Sequence, residues 1–173
     1  MILFKTMLSV ILSSILINCY SQDSTENEKA MHRYLNSLMT DKFDFESPGD
    51  GFVLTEDKSG YTRKEDNAAI RFVLMGKNYD ELLNIFKDSI KMGSNVFVDS
   101  STVHKNNKTG FYFIQKKIPP PDSGYSNYFS ILIIKPLDKY LSLFFGGVYP
   151  ESKDTILRKK FINSAFSIKK VTE

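Results

Sequence analysis

Cysteine is all but missing from this 173-residue sequence, where Cys19 stands alone. No intramolecular disulfide can therefore staple the chain, which must be held by a core. Histidine is almost as scarce, with only His32 and His104. A nucleophilic triad needs a histidine beside its Ser, Cys or Thr, and a zinc site needs clustered ligands such as HExxH or CxxC. Neither spacing occurs, nor does Gly-x-Ser-x-Gly. Gly76-Lys77-Asn78 lacks the upstream glycine of a phosphate loop. His104, beside Lys105, reads as a solvated turn residue and His32 as a helix-surface residue. Charge of one sign is lacking too: 23 Lys and Arg face 20 Asp and Glu, interleaved except in the C-terminal tail. That pattern does not show the concentrated basic run of a nucleic-acid partner, and none is expected. No apolar run reaches the roughly 20 residues of a membrane span, and no cofactor or metal is implied.

What is present begins with Lys5, the apolar run Met7 to Ile17, and the polar stretch Ser21 to Ser24. This is the charged, apolar and cleavage-zone order of a signal peptide. Residues 1–21 are expected to be removed, with Cys19 and Ser21 at the small-residue positions and Gln22 as the new N-terminus. Alternatively, Leu16-Ile17-Asn18-Cys19 resembles a bacterial lipobox, departing from it at Asn18, and Cys19 would then carry lipid. The expected location is exported, either periplasmic or secreted, or lipid-anchored at the cell envelope. A membrane is a partner only if Cys19 is lipidated. The mature chain of about 150 residues is long enough to bury about two thirds of its unfolded surface.

Residues 22–50 read as an N-terminal helix and linker. Ala30, Met31, Tyr34, Leu35, Leu38 and Met39 recur at helical spacing after a Thr25–Glu28 capping box, and Ser47-Pro48-Gly49-Asp50 ends the pattern. Residues 51–173 read as a single domain. Gly51–Glu56 and Tyr61–Arg63 are expected as short strands and Ala68–Met75 as a longer one. A helix over Tyr79–Met92 is predicted by Asn78 at its cap, Asp80 and Glu81 in its first turn, and Gly93 after it. Its expected stripe is Leu82, Leu83, Ile85, Phe86 and Ile90. Val96–Val103 and Phe111–Ile118 form a hairpin through the loop Lys105–Gly110, and Pro119 to Gly124 must be a surface loop. Tyr128–Ile134 pairs with Tyr140–Val148. The last helix, about Lys153 to Ile168, has Ser152 as its expected cap and presents Ile156, Leu157, Phe161, Ile162, Ala165 and Phe166.

In Tyr128–Ile134 and Tyr140–Val148 both alternating sets are apolar, which requires cover on both faces of the sheet. The expected class is α+β, an antiparallel sheet of about six strands between helices. Gly51-Phe52-Val53, the strand Ala69 to Val73, and Gly147 to Pro150 before the last helix resemble the PsbP-like α-β-α sandwich over most of residues 50 to 168. That superfamily is named for an extrinsic photosystem II subunit and is shared with a Ran-binding nuclear import factor. The resemblance implies the sandwich fold and a role in binding other proteins.

The acidic turn of Asp41, Asp44, Glu46 and Asp50 does not fit the EF-hand order and reads as a solvated loop. Gly146-Gly147, inside a strand pattern, marks a bulge or a close backbone approach. Tyr125, Tyr128 and Phe129 follow the triple-proline loop as a candidate interaction surface, although Tyr128 and Phe129 also suit the first core positions of their strand. The expected function is a non-enzymatic exported domain that binds a protein or cell-envelope component. The alternatives are a hydrolase using two carboxylates on cell-wall or polysaccharide material, which requires a pair facing each other across a cleft, and a carrier of a small apolar ligand.

Overall fold

The computed structural model describes residues 42–92, 96–105, 107–119 and 126–171. The strands are β1 (Phe43–Asp44), β2 (Val53–Leu54), β3 (Gly60–Arg63), β4 (Ala68–Met75), β5 (Val96–Lys105), β6 (Lys108–Lys117), β7 (Tyr128–Pro136), β8 (Ser142–Pro150) and β9 (Lys169–Lys170). Two helices are described, α1 (Tyr79–Met92) and α2 (Asp154–Ser167). The N-terminal helix expected over residues 24 to 40 lies outside the described residues.

Seven strands, one more than the six expected, form an antiparallel sheet in the order β2-β3-β4-β8-β7-β6-β5. The meander β5 to β8 folds back so that β8 docks on β4, with Ile70 opposite Gly147 and Phe72 opposite Phe145. To connect β4 with the far edge strand β5, α1 must cross one face of the sheet, and α2 lies on the other. Each long central strand therefore feeds two cores. From β7 and β8, Ile131, Ile133, Leu143 and Phe145 pack with Leu157, Phe161 and Phe166 of α2. Their neighbours Leu132, Ile134 and Phe144 pack with Leu82 and Phe86 of α1. Phe86 stacks on Phe144 with ring centroids 5.2 Å apart and the planes 11° from parallel.

Helix α1 starts as its sequence dictates. Asn78 Oδ1 accepts the Glu81 N–H at 2.9 Å, and Glu81 Oε2 accepts the Asn78 N–H at 3.4 Å, a reciprocal box that satisfies two donors lacking helical partners. Helix α2 departs from expectation. A 3-10 turn, Glu151–Lys153, precedes it, and Lys153 holds the cap position with no side-chain bond, so Ser152 is not the cap. Ile156, on the first turn of α2, is exposed instead of covering the sheet.

Two further corrections concern a turn and the segment before β2. The β5–β6 hairpin is tighter than the expected Lys105–Gly110 loop, because Lys105 pairs directly with Lys108. Upstream, the segment expected to be linker contains buried Phe43 and Phe45. Phe45 sits edge-on to Tyr61, Phe72 and Phe145. Its neighbours are fixed by polar bonds: the Glu46 N–H donates to Ser167 Oγ at 2.7 Å, and the Tyr61 hydroxyl donates to the Phe45 carbonyl at 2.9 Å. Strand β1 pairs with β9, so the start and end of the described chain close over the same core.

Candidate functional site

Of the residues singled out from sequence, Cys19, His32 and Tyr125 lie outside the described residues. Phe129 is 6 % exposed and meets Tyr149 edge-on at 6.0 Å, so its ring belongs to the core. Tyr128 is half-buried between Lys117 and Pro150, and burial pushes its phenol above the ordinary value. Neither offers a free aromatic anchor.

The apolar surface at that end of the sheet comes from other residues. Among the described residues β5 is an edge strand, hydrogen-bonded within the sheet only to β6. Its register shifts between Phe97, opposite Gln115, and Asp99, opposite Ile114, so that Val98 is the extra residue of a bulge. A bulge bends and twists an edge. Here Val96, Phe97 and Val98 are all exposed, Phe97 at 47 %, and Ile118 just beyond the paired end of β6 is 66 % exposed. Contiguous apolar side chains on a bare sheet edge are what proteins ordinarily suppress, because an edge with free backbone groups recruits other chains. The signal available in sequence was the run Val96-Phe97-Val98, but alternation alone could not tell an edge strand from a covered one.

A polar seam ties this edge to α2. Arg158 Nη1 donates to Asp99 Oδ2 at 2.6 Å, and its Nη2 and Nε donate to the two oxygens of Asp154 at 2.6 and 3.1 Å. The Tyr112 hydroxyl donates to Asp99 at 2.9 Å and that of Tyr149 to Asp154 at 2.8 Å. Burial and then the Asp154 hydrogen bond hold the Tyr149 phenol far above its usual value. Burial opposes the charge on Arg158, but the bonds and charge of Asp154 outweigh it and raise that group further. Nearby, Glu151 accepts from Lys116 at 2.7 Å and from Asn127 at 3.1 Å, bonds that hold its carboxyl below the usual range. A single guanidinium thus bridges the carboxylates of Asp99 and Asp154. The arrangement holds β5 against α2. Replacing Arg158 with Leu should lower stability by about 1 kcal/mol, since the group is partly exposed and screened, and thermal denaturation measures it.

The opposite end of the sheet, where β5 turns into β6 and β7 into β8, carries a different cluster. Lys135, at the end of β7, is 2 % exposed. Its Nζ donates to the Ala165 carbonyl at 2.9 Å and lies 4.8 Å from the centre of the Phe166 ring. Burial, with the neighbouring charge of Lys108, pulls it down to about 7. Lys108 Nζ donates to the Ile168 carbonyl at 2.9 Å and Lys105 Nζ to Asn163 Oδ1 at 2.6 Å. Three strands thus send lysines to the carbonyl end of α2, where the helix dipole favours cations. His104 meets Thr109 across the hairpin, Nδ1 to Oγ1 at 3.1 Å. Among the described residues no group of three or more His, Cys, Asp or Glu is placed to hold a metal.

No protein-family model matches this chain, and no curated protein matches it by sequence. Its fold has solved relatives. The crystal structure of LpqN, involved in cell envelope biogenesis of Mycobacterium tuberculosis, is similar at a TM-score of 0.55 and 9 % identity, over 75 % of this chain and 83 % of that one. The solution structure of the cyanobacterial PsbP, CyanoP, from Synechocystis is similar at 0.50 and 8 %, over 77 % and 89 %. At these identities the likeness is one of fold, and the fold is PsbP-like.

Proposed function

We propose that this chain is an exported domain, without catalysis of its own, that binds a protein or another cell-envelope component through the start of β5 and the neighbouring end of β6. The observation that carries the reading is the exposed run Val96-Phe97-Val98 with Ile118 on a sheet edge. A side-chain set of this kind makes the apolar centre of a contact, and the bare edge offers backbone groups beside it. The signal-like N-terminus supports the exported location. The involvement in cell envelope biogenesis of LpqN, which shares the fold, supports an envelope partner by analogy.

A photo-crosslinking residue in place of Phe97 tests this reading, with the same residue in place of exposed Lys159 on α2 as control. Irradiated with an envelope fraction from cells that make the protein, position 97 should give one discrete adduct and position 159 none. Equal, diffuse labelling from both positions would contradict the reading.

A further inference from the structure

The end of the sheet that holds Lys135 also carries a group of lysines outside ion pairs. Lys42, Lys105, Lys108, Lys139, Lys169 and Lys170 gather there just before β1, at the two hairpin turns and on β9, all exposed except half-exposed Lys105. Among the described residues none of them pairs with a carboxylate. The ion pairs lie elsewhere: Arg63 with Asp66, Arg71 with Asp57, Lys116 with Glu151, and Arg158 with Asp154 and Asp99. Lys105 and Lys108 bond only neutral oxygens, at Asn163 and Ile168. Carboxylates do occur at this end, and the turn acid among them is engaged: Asp138 Oδ1 accepts the N–H groups of Tyr140 and Leu141 at 2.7 and 2.9 Å. Asp44 and Glu46 are exposed on and after β1, and Asp80 and Glu81 open α1.

Two further features single out this end. Tyr140, on the β7–β8 turn, is 69 % exposed, with Lys139 Nζ 5.4 Å from its ring centre. An exposed tyrosine among lysines is the composition of a membrane-water interface, where the ring sits among headgroups and the amines meet lipid phosphate. The second feature is topological. Lys42 is the first described residue and its carbonyl accepts the Val171 N–H in the β1–β9 ribbon. The segment before it, expected to begin at Gln22 or at a lipidated Cys19, therefore joins the domain at this end.

We infer that this lysine end docks on a bilayer surface bearing anionic lipid headgroups. Docked so, the domain presents the start of β5, at the opposite end of the sheet, away from the bilayer; the inference deepens the binding role proposed above by giving it an orientation.

Sedimentation of the purified chain with vesicles of phosphatidylcholine alone, or of phosphatidylcholine mixed with phosphatidylglycerol, tests it. The K139E/K169E/K170E variant should keep the parent's melting temperature and its binding to neutral vesicles, and should lose at least about tenfold in binding to the anionic ones. Raised salt should remove the same part of the parent's binding. Replacing Tyr140 with Ser should weaken binding to anionic vesicles without changing its salt dependence. Equal binding of parent and triple variant to anionic vesicles would overturn the inference. So would displacement by inorganic phosphate beyond that by sodium chloride of equal ionic strength, which would mark a discrete anion pocket. The crosslink from position 97 to a detergent-extracted partner is expected to survive the triple substitution, so failure here and failure of the binding role are separable.

Discussion

Replacing Lys135 with Met should remove a pH dependence of stability that the parent protein carries between about pH 6 and pH 9. In the fold this amine is pulled down to about 7 by burial and by the charge of Lys108, whereas in the unfolded chain it keeps an ordinary lysine value. Between those two values the unfolded state binds a proton that the folded state does not. Raising the pH then favours the fold. Below about 7 both states are protonated and the full cost of charging a buried amine is present. As pH rises through 7 and beyond, that cost is relieved. The parent should therefore gain about 2–3 kcal/mol over this range from Lys135 alone. The Met variant, with an apolar side chain of similar length in the same site, should lack that gain and stand closest to the parent at the alkaline end. Urea unfolding of both proteins at several pH values measures the difference and cancels every other titration. Parallel pH profiles would show that Lys135 is solvated.

Gly147 is expected to be as sensitive for a steric reason. A Cβ there would lie 2.6 and 2.8 Å from the Phe161 ring and 2.9 Å from Ile131 Cγ2. Phe161 is fully buried and wedged edge-on against Tyr149 at 5.4 Å and Phe52 at 5.8 Å, so it has no space to yield. Gly147→Ala should cost about 2–4 kcal/mol, and larger residues should prevent folding. The mechanism has its own signature: because the clash is with one ring, Phe161→Leu should recover part of the loss. A double-mutant cycle should give a coupling of about 1–2 kcal/mol. Strict additivity would mean that the helix does not press on the strand at this point.

These positions also show what sequence could and could not reveal. The glycine pair in a strand pattern predicted a bulge or a close approach, and Gly147 is where α2 comes down on the sheet. The runs in β7 and β8, apolar in both alternating sets, predicted cover on both faces, and the two cores are divided between α2 and α1 residue by residue. Helix α1 was legible because its start is specified locally by Asn78 and Glu81. Phe43 and Phe45 were not, because two-residue β1 has no period to read and its partner β9 is more than 120 residues away. Nor was Lys135: a lysine before a proline at the end of a strand looks solvated until the carbonyl end of α2 is placed over it. Asp99 and Arg158 are likewise 59 residues apart, and no local pattern joins them. The candidate surface was legible only as a neighbourhood. The aromatics after the proline loop lie at the same end of the sheet as the proposed surface, whose exposed residues belong to β5 and β6.

Hydrogen exchange of the chain, alone and with the envelope fraction, tests the central claim most directly. A binding role through the open edge predicts slowed exchange concentrated in peptides covering Val96–Lys105, with α2 unchanged. Unaltered exchange along β5, or protection confined to α2, would contradict it.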